Sequence, residues 1–222
     1  MFRSYNSFKI VKYLILLLLL VVVKHSQAQI MIGYSCGNYL GHSLSNIDCM
    51  AEQVSFEQGL TNPINANNWS RGFKLSLRAG SKDSKANFFF AINPYRSHFF
   101  GEGVDPSNGS TKRYDFKLNY TVIQFAGMDI GEVDGAGLGF SFDLDMLKLK
   151  YKIDRANDPI LKYEKYYGGI TVGYSLWARY NPAKRICLML TYCDVLLNAP
   201  MKDHSYYYRV SNLSLSAIFL LM

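Results

Sequence analysis

Hydrophobic and polar residues alternate with a period of two along most of this chain. The sharpest run is residues 113–122, RYDFKLNYTV. Tyr114, Phe116, Leu118, Tyr120 and Val122 share one parity, and Arg113, Asp115, Lys117, Asn119 and Thr121 share the other. A helix would mix the two sets, whereas a strand separates them because successive side chains point to opposite faces. The same period recurs over 73–78, 138–146, 170–177, 186–193 and 213–219, and less cleanly over 30–39 and 87–100. The pattern predicts eight strands.

The connections alternate too. Segments 40–70, 101–112, 152–165 and 198–205 are long or polar, while 81–86, 128–136 and 181–184 are short and rich in Gly, Asp, Asn, Lys and Pro. Long and short follow each other strictly, beginning with long. An even number of antiparallel strands with short turns at one end and long loops at the other is the signature of a bacterial membrane barrel. The expected fold is therefore all-β, an eight-stranded antiparallel up-and-down transmembrane β-barrel. The short turns join strands 2 and 3, 4 and 5, and 6 and 7.

A soluble barrel of the lipocalin kind shares this alternation but turns its apolar side chains inward. Two features favour the membrane form. The polar face carries mid-strand charges of both signs, at Lys74, Arg78, Asp115, Lys117, Asp143, Asp145 and Arg179. These are expected to fill a closed lumen as an ion-pair network, a structural plug rather than an ion path, because lone buried charges are costly. The apolar face is rich in large aromatics and would overfill an eight-stranded interior. Aromatic residues are expected in two bands, with Phe99, Phe100, Tyr114, Tyr166, Tyr167 and Tyr206 to Tyr208 at the outer end. Phe125, Phe140, Tyr180 and Phe219 form the inner band. The alternation slips phase at Met146–Leu147 and at Val210–Leu213, which reads as two β-bulges.

The first 28 residues have a different character. Residues 1–12 are polar and basic, 13–23 are an unbroken apolar run, and KHSQAQ follows, with Ser26 and Ala28 at the −3 and −1 positions of a cleavage site. This is the order of a secretory signal peptide. Eleven apolar residues reach about 16 Å as a helix, too short for a hydrocarbon core of about 30 Å. The expected organisation is a signal peptide at 1–28 and a barrel domain at 29–222, exported to the outer membrane.

Composition agrees with this. Of 222 residues, 49% are hydrophobic and 15% aromatic, and 17 are Tyr, a residue suited to positions half in apolar surroundings and half in water. Of the formal charge of +7, Arg3, Lys9, Lys12 and Lys24 supply four, leaving +3 on the mature part. With no basic run beyond that, nucleic acid is not an expected partner.

Taken together, the signal peptide ending SQAQ and the eight alternating segments resemble the small Gram-negative outer-membrane barrels of the OmpA- and OmpX-like group, of Bacteroidetes type. The likeness covers the whole mature chain and rests on pattern. It implies a monomer in outer-membrane lipid, with a structural or surface-recognition role and no open pore. Members of such families end in an aromatic residue; this chain ends Phe219-Leu220-Leu221-Met222.

Candidate chemistry is sparse. No cofactor and no metal is expected. Of the four cysteines, Cys187 and Cys193 are too far apart on one strand to bond, while Cys36 and Cys49 could close a small loop as a disulfide in an oxidising compartment. His42, His98 and His204 each have a Ser neighbour (Ser43, Ser97 and Ser205) at the expected outer end. A lipid-modifying barrel enzyme, an acyl hydrolase or acyltransferase, is the runner-up, and it requires one of these His to converge with a Ser and an acid. Adjacent residues on a strand point apart, so adjacency alone makes no dyad. Gly131, Gly135, Gly137 and Gly139 read as a turn rather than a nucleotide loop. Loop 40–70 holds a short amphipathic helix around 47–60. Together with loop 101–112 it is the expected contact for an extracellular protein or glycan, unless it is a flap on the barrel mouth.

Overall fold

A computed structural model describes residues 29–221 apart from 41–44, 58, 65–68, 81–84, 105–108, 132–134, 156–162, 197–198, 201–206 and 209. The proposed signal peptide lies outside the described residues, as do His42 and His204. Eight strands close into one antiparallel barrel: β1 (Gln29–Tyr39), β2 (Trp69–Ala79), β3 (Ala86–Val104), β4 (Thr111–Gly131), β5 (Ala136–Arg155), β6 (Glu164–Ala183), β7 (Ile186–Val195) and β10 (Ser211–Leu221). Each pairs with its neighbours in sequence order, and β1 closes on β10. Between β1 and β2 lies a helix, α1 (Ser45–Glu57), and between β7 and β10 a two-residue hairpin forms from β8 (Ala199–Pro200) and β9 (Tyr207–Tyr208).

The wall is uneven in height. Strands β1, β2, β7 and β10 have 10 or 11 residues, which is what a tilted strand needs to cross a bilayer. Strands β3 to β6 have 19 to 21. Their excess of about nine residues, roughly 30 Å along the strand, stands above the short strands as a four-stranded blade. Both ends of the segment expected as loop 101–112 are part of this blade, paired from Gly101↔Tyr114 to Val104↔Thr111.

Side chains alternate in and out without a break across the height of β5. Asp143, Asp145, Leu147 and Leu149 face inward, and Phe142, Leu144, Met146, Lys148 and Lys150 face outward. The slip at Met146–Leu147 is therefore not a bulge, since Met146 pairs with Thr121 and Leu147 with Tyr120 in unbroken register. What changes is the surroundings. Below this height the outer wall is apolar and the lumen polar; above it the outer wall is polar and the interior apolar. The ladder partners Arg96, Asn119, Lys148 and Gly168 mark the level across β3 to β6. Below it, Leu138 to Met146 covers roughly 30 Å of strand, and at a tilt of about 40° that is about 23 Å of height, the size of an outward apolar band.

No bulge forms at Val210–Leu213 either: Val210 is buried just before β10, and Asn212 onward pairs in register on both sides. Real irregularities fall elsewhere. Between Phe125 and Met128 the β4–β5 register shifts, with Ala126 at φ 48°, so Phe125 and Ala126 both face outward and parity reverses below them. Between Tyr180 and Ala183 the shift coincides with Pro182, which has no N–H to give the ladder.

The inner aromatic band is present on the outer wall, where Phe125, Phe140, Tyr180 and Phe219 are exposed. The outer one needs correction at two residues, while the side chains of Tyr166, Tyr167 and Tyr206 to Tyr208 lie outside the described residues. Phe100 is outward, but Phe99 and Tyr114 are buried inside the blade. The pairs Tyr34–Phe73 and Tyr174–Tyr192, with ring centroids 5.8 and 6.2 Å apart, stand on the outer wall near the upper limit of the apolar band. Two packed clusters occupy the interior. A lower one joins Met31, Phe89, Trp177, Met189 and Ile218. An upper one joins Tyr95, Phe99, Phe116, Leu118, Leu149 and, from α1, Ala51.

The lower cluster depends on a gap opposite the Trp177 indole. A Cβ at Gly139 would sit 2.3 Å from Trp177 Cε2, and the indole cannot retreat because its ring centroid is 4.4 Å from that of Phe89. Gly139→Val is expected to lower the unfolding midpoint of the detergent-solubilised protein by about 1–3 kcal/mol of stability. An unchanged urea midpoint would refute this account of the lumen packing.

Candidate functional site

The lumen holds charges in a graded stack. At its lower end Asp129 Oδ2 is 2.6 Å from Arg78 Nε, and Arg179 Nε donates to Asp129 Oδ1 at 2.9 Å. One carboxylate thus joins two guanidiniums, and Arg179 Nη1 also donates to the Gly135 carbonyl at 3.2 Å. Above the lower apolar cluster comes a polar belt. Lys74 Nζ donates to Thr191 Oγ1 at 3.2 Å and lies 5.9 Å from the Phe89 ring centroid. Asp143 accepts from Ser141 Oγ at 2.7 Å and from Ser175 Oγ. Asn93 donates to Gln124 at 3.0 Å, and Tyr120 OH donates to Asp145 Oδ1 at 2.8 Å. Space for Asp145 comes from Gly173, where a Cβ would lie 2.0 Å from the carboxylate.

Five of the seven residues expected in the lumen are there: Lys74, Arg78, Asp143, Asp145 and Arg179 are all at most 5% exposed. Asp115 and Lys117 are not. On β4 the apolar parity, from Tyr114 to Val122, faces inward, so Asp115 and Lys117 point outward from the blade. There Asp115 accepts from Tyr163 OH at 2.7 Å and pairs with Lys152 at 3.9 Å, and Lys117 lies 5.8 Å from the Tyr163 ring centroid. The strand with the cleanest alternation is thus the one whose faces are reversed. Sequence reasoning also missed Asp129, which reads as a turn residue; only the parity reversal at Phe125–Met128 turns it inward. Nor is the belt one ion-pair network: hydroxyl donors, not cations, hold Asp143 and Asp145.

The Cys36–Cys49 disulfide is corrected as well. Cys36 carries a free thiol on the outward face of β1. The side chain of Cys49, in α1, lies outside the described residues. Cys187 and Cys193 are free and buried. His98 is exposed on the outer face, while Ser97 points inward and donates to the Trp69 carbonyl, so they do not converge. Among the described residues no group of three or more His, Cys, Asp or Glu could hold a metal ion.

The long first connection is not an open arm. Its helix runs over Ser45–Glu57, close to the expected span. Ser55 Oγ donates to the Ala51 carbonyl and accepts from Ile64 N–H at 2.9 Å, which pins the following segment against the blade interior. It is the flap on the barrel mouth, and the proposed partner contact through 40–70 is restricted accordingly to the residues it leaves exposed.

No family model matches this chain, and no curated protein matches it. Solved structures similar to it include Ail, the attachment invasion locus protein of Yersinia pestis, in complex with the heparin analogue sucrose octasulfate (11% identity, 88% of this chain and 99% of that one, TM-score 0.40). The backbone structure of the same outer membrane protein in a phospholipid bilayer nanodisc has 14% identity over 89% and 100%, TM-score 0.42. Neisserial surface protein A has 9% identity over 87% and 96%, TM-score 0.39. No residue role is carried over from them.

Two outcomes check these assignments. Asp129→Ala leaves two buried guanidiniums without their shared carboxylate and is expected to cost about 3–5 kcal/mol in urea unfolding. Asp115→Ala, on the outside, should stay within about 1 kcal/mol; equal losses would refute the inside–outside assignment. Alkylation of the denatured protein without reductant should modify Cys36, read by peptide mass; a Cys36–Cys49 crosslink would show the free thiol to be wrong.

Proposed function

We propose that residues 1–28 export the chain and that residues 29–222 form a closed, non-conducting barrel in the outer membrane, which serves envelope structure or surface recognition through its blade. One observation carries this reading: the polarity of the outer wall inverts at a single level across β3 to β5, with apolar side chains below and, above, a wall dominated by charged ones, in which Phe100 and Val104 are the apolar exceptions on β3. Lipid covers the lower wall at no cost, and the upper wall meets water. A soluble barrel has no reason to expose Phe73, Leu138, Phe142 and Leu215 on its outside.

The lumen supports the non-conducting part. Two packed clusters and the polar belt fill it, and an eight-stranded barrel is just wide enough for side chains. Protein or glycan recognition then belongs to the exposed surface of the blade and its connections. Of the three histidines of the enzyme alternative, His98 does not converge with Ser97, which lies on the opposite face, and His42 and His204 lie outside the described residues.

The expressed protein should fractionate with the outer membrane and migrate faster unboiled than boiled. In planar bilayers it should give no steady conductance. Recovery as a soluble periplasmic protein would overturn the membrane reading, and discrete open-channel steps would overturn the closed lumen.

A further inference from the structure

The outer wall carries an unassigned basic depression at the level where its polarity inverts. A depression of about 620 Å³ has Arg96, Lys117, Lys148 and Lys150 on its upper side and Met146 and Ile170 on its lower side. A second, of about 250 Å³, shares Arg96 and Lys117 and adds Arg71 and His98, with Phe73 below. The two lie side by side on the wall from β2 to β6, with Arg96 and Lys117 between them. Ladder pairing aligns the cations: Arg71 stands opposite Arg96, His98 opposite Lys117, and Lys117 opposite Lys150. Among the described residues no acidic side chain lines either depression. The nearest carboxylate on the same face of β4, Asp115, is already engaged by Tyr163 and Lys152.

Like charges placed side by side across neighbouring strands destabilise a sheet. A row of five cations with no acid between them is a place where an anion from outside relieves that repulsion. We propose that this groove binds the phosphorylated sugar headgroup of an outer-leaflet glycolipid. The inference rests on the membrane reading above. A lipid fits better than a soluble polyanion because the cations stand directly over an apolar wall. One molecule could lay its acyl chains on Met146, Ile170 and Phe73 while its phosphates meet the guanidinium and ammonium groups. From β2 to β5 the row spans three strand spacings, about 14 Å, enough for phosphates at both ends of a disaccharide. Arg supplies the planar fork that suits phosphate oxygens, and Lys supplies point charge.

The test is a titration of the full mature protein, folded in zwitterionic micelles, with bisphosphorylated lipid A, with the same lipid dephosphorylated, and with inorganic phosphate. Fluorescence of Trp69, exposed on the outer face two residues from Arg71, reports binding, since the second tryptophan, Trp177, is buried. In the same samples the unboiled mobility shift reports a folded barrel. Bisphosphorylated lipid A should bind far more tightly than the dephosphorylated lipid, and more weakly as salt rises. R96A combined with K117A should weaken it about 30-fold, the loss expected for two interfacial cations. K184A combined with R185A, at the opposite end of the barrel, should leave it unchanged. If the first pair fails to fold, K148A combined with K150A gives the same comparison. Equal affinity for both lipids, or undiminished binding by a folded groove variant, overturns the inference and leaves the membrane reading intact. Inorganic phosphate binding as tightly as the lipid overturns the choice of a lipid. Wild-type protein that shows no mobility shift overturns the membrane reading and this inference with it.

Discussion

A strand that crosses a bilayer must give every backbone N–H and C=O a partner within the sheet, and closing the sheet is the way to do so. Closure has a second consequence here. With β1 paired to β10 there is no free edge in the lipid, and each residue step along a strand then takes one side chain outward and the next inward. The outside and inside of the wall can no longer be chosen independently. Where lipid claims the outward residues of β5 from Leu138 to Met146, the inward set contains Ser141, Asp143 and Asp145, and these must be satisfied inside the barrel. The lumen does this locally: Asp129 between two arginines, Asp143 between two serines, Asp145 under the Tyr120 hydroxyl. Among the described residues the lumen holds three cations, Lys74, Arg78 and Arg179, and three carboxylates, Asp129, Asp143 and Asp145.

Above the lipid the same alternation serves the opposite end. Water outside the blade takes the charged side chains, and the driving force for holding four tall strands together becomes burial of apolar surface between them and the flap. Phe99 stacks on Phe116 at 5.5 Å, Leu118 and Leu149 are wholly buried, and α1 contributes Ala51 and Val54. The molecule is thus inside-out relative to a soluble protein in its lower part and ordinary in its upper part, on continuous strands.

This explains what the sequence shows and what it hides. Strand number, antiparallel order and the placement of short turns are all legible, because period two and turn residues are local signals. Which face points inward is not local. Along residues 113–122 the alternation is perfect, and it gives no hint that Asp115 and Lys117 look outward while the mid-strand charges of β5 look inward. The phase change at Met146–Leu147 has two readings, a bulge or an inversion of surroundings, and one strand cannot tell them apart. A pair of neighbours can. On β4 the apolar parity changes between Val122 and Ile123, and Val122 pairs with Asp145, one step from the change on β5. Two adjacent strands that change phase at the same height record a boundary in the medium. Asp129 remained hidden because a true bulge, at Phe125–Met128, lies between it and the readable part of its strand.

The tall strands create a difficulty that the short ones do not share. Above the lipid, β3 has outlived its partner β2 and β6 has outlived β7, so each offers an unpaired edge to water and to other chains. The long connections answer this. From the first, Asn62 N–H donates to the Glu102 carbonyl and Glu102 N–H donates back, both at 2.9 Å, which adds a bridge along the β3 edge. A Cβ at Gly101 would meet Ile64 and one at Gly103 would meet Leu60, so the close approach of this segment depends on small residues in the edge strand. From the last connection, Leu196 N–H donates to the Val172 carbonyl at 2.8 Å, continuing the β6 pairing just beyond the end of β7. The length of these loops is then accounted for by covering edges and capping an apolar interior. The outer face of β3 to β5 takes no part in this covering and keeps its charged side chains, among them Arg96, Lys117 and Lys148, toward water.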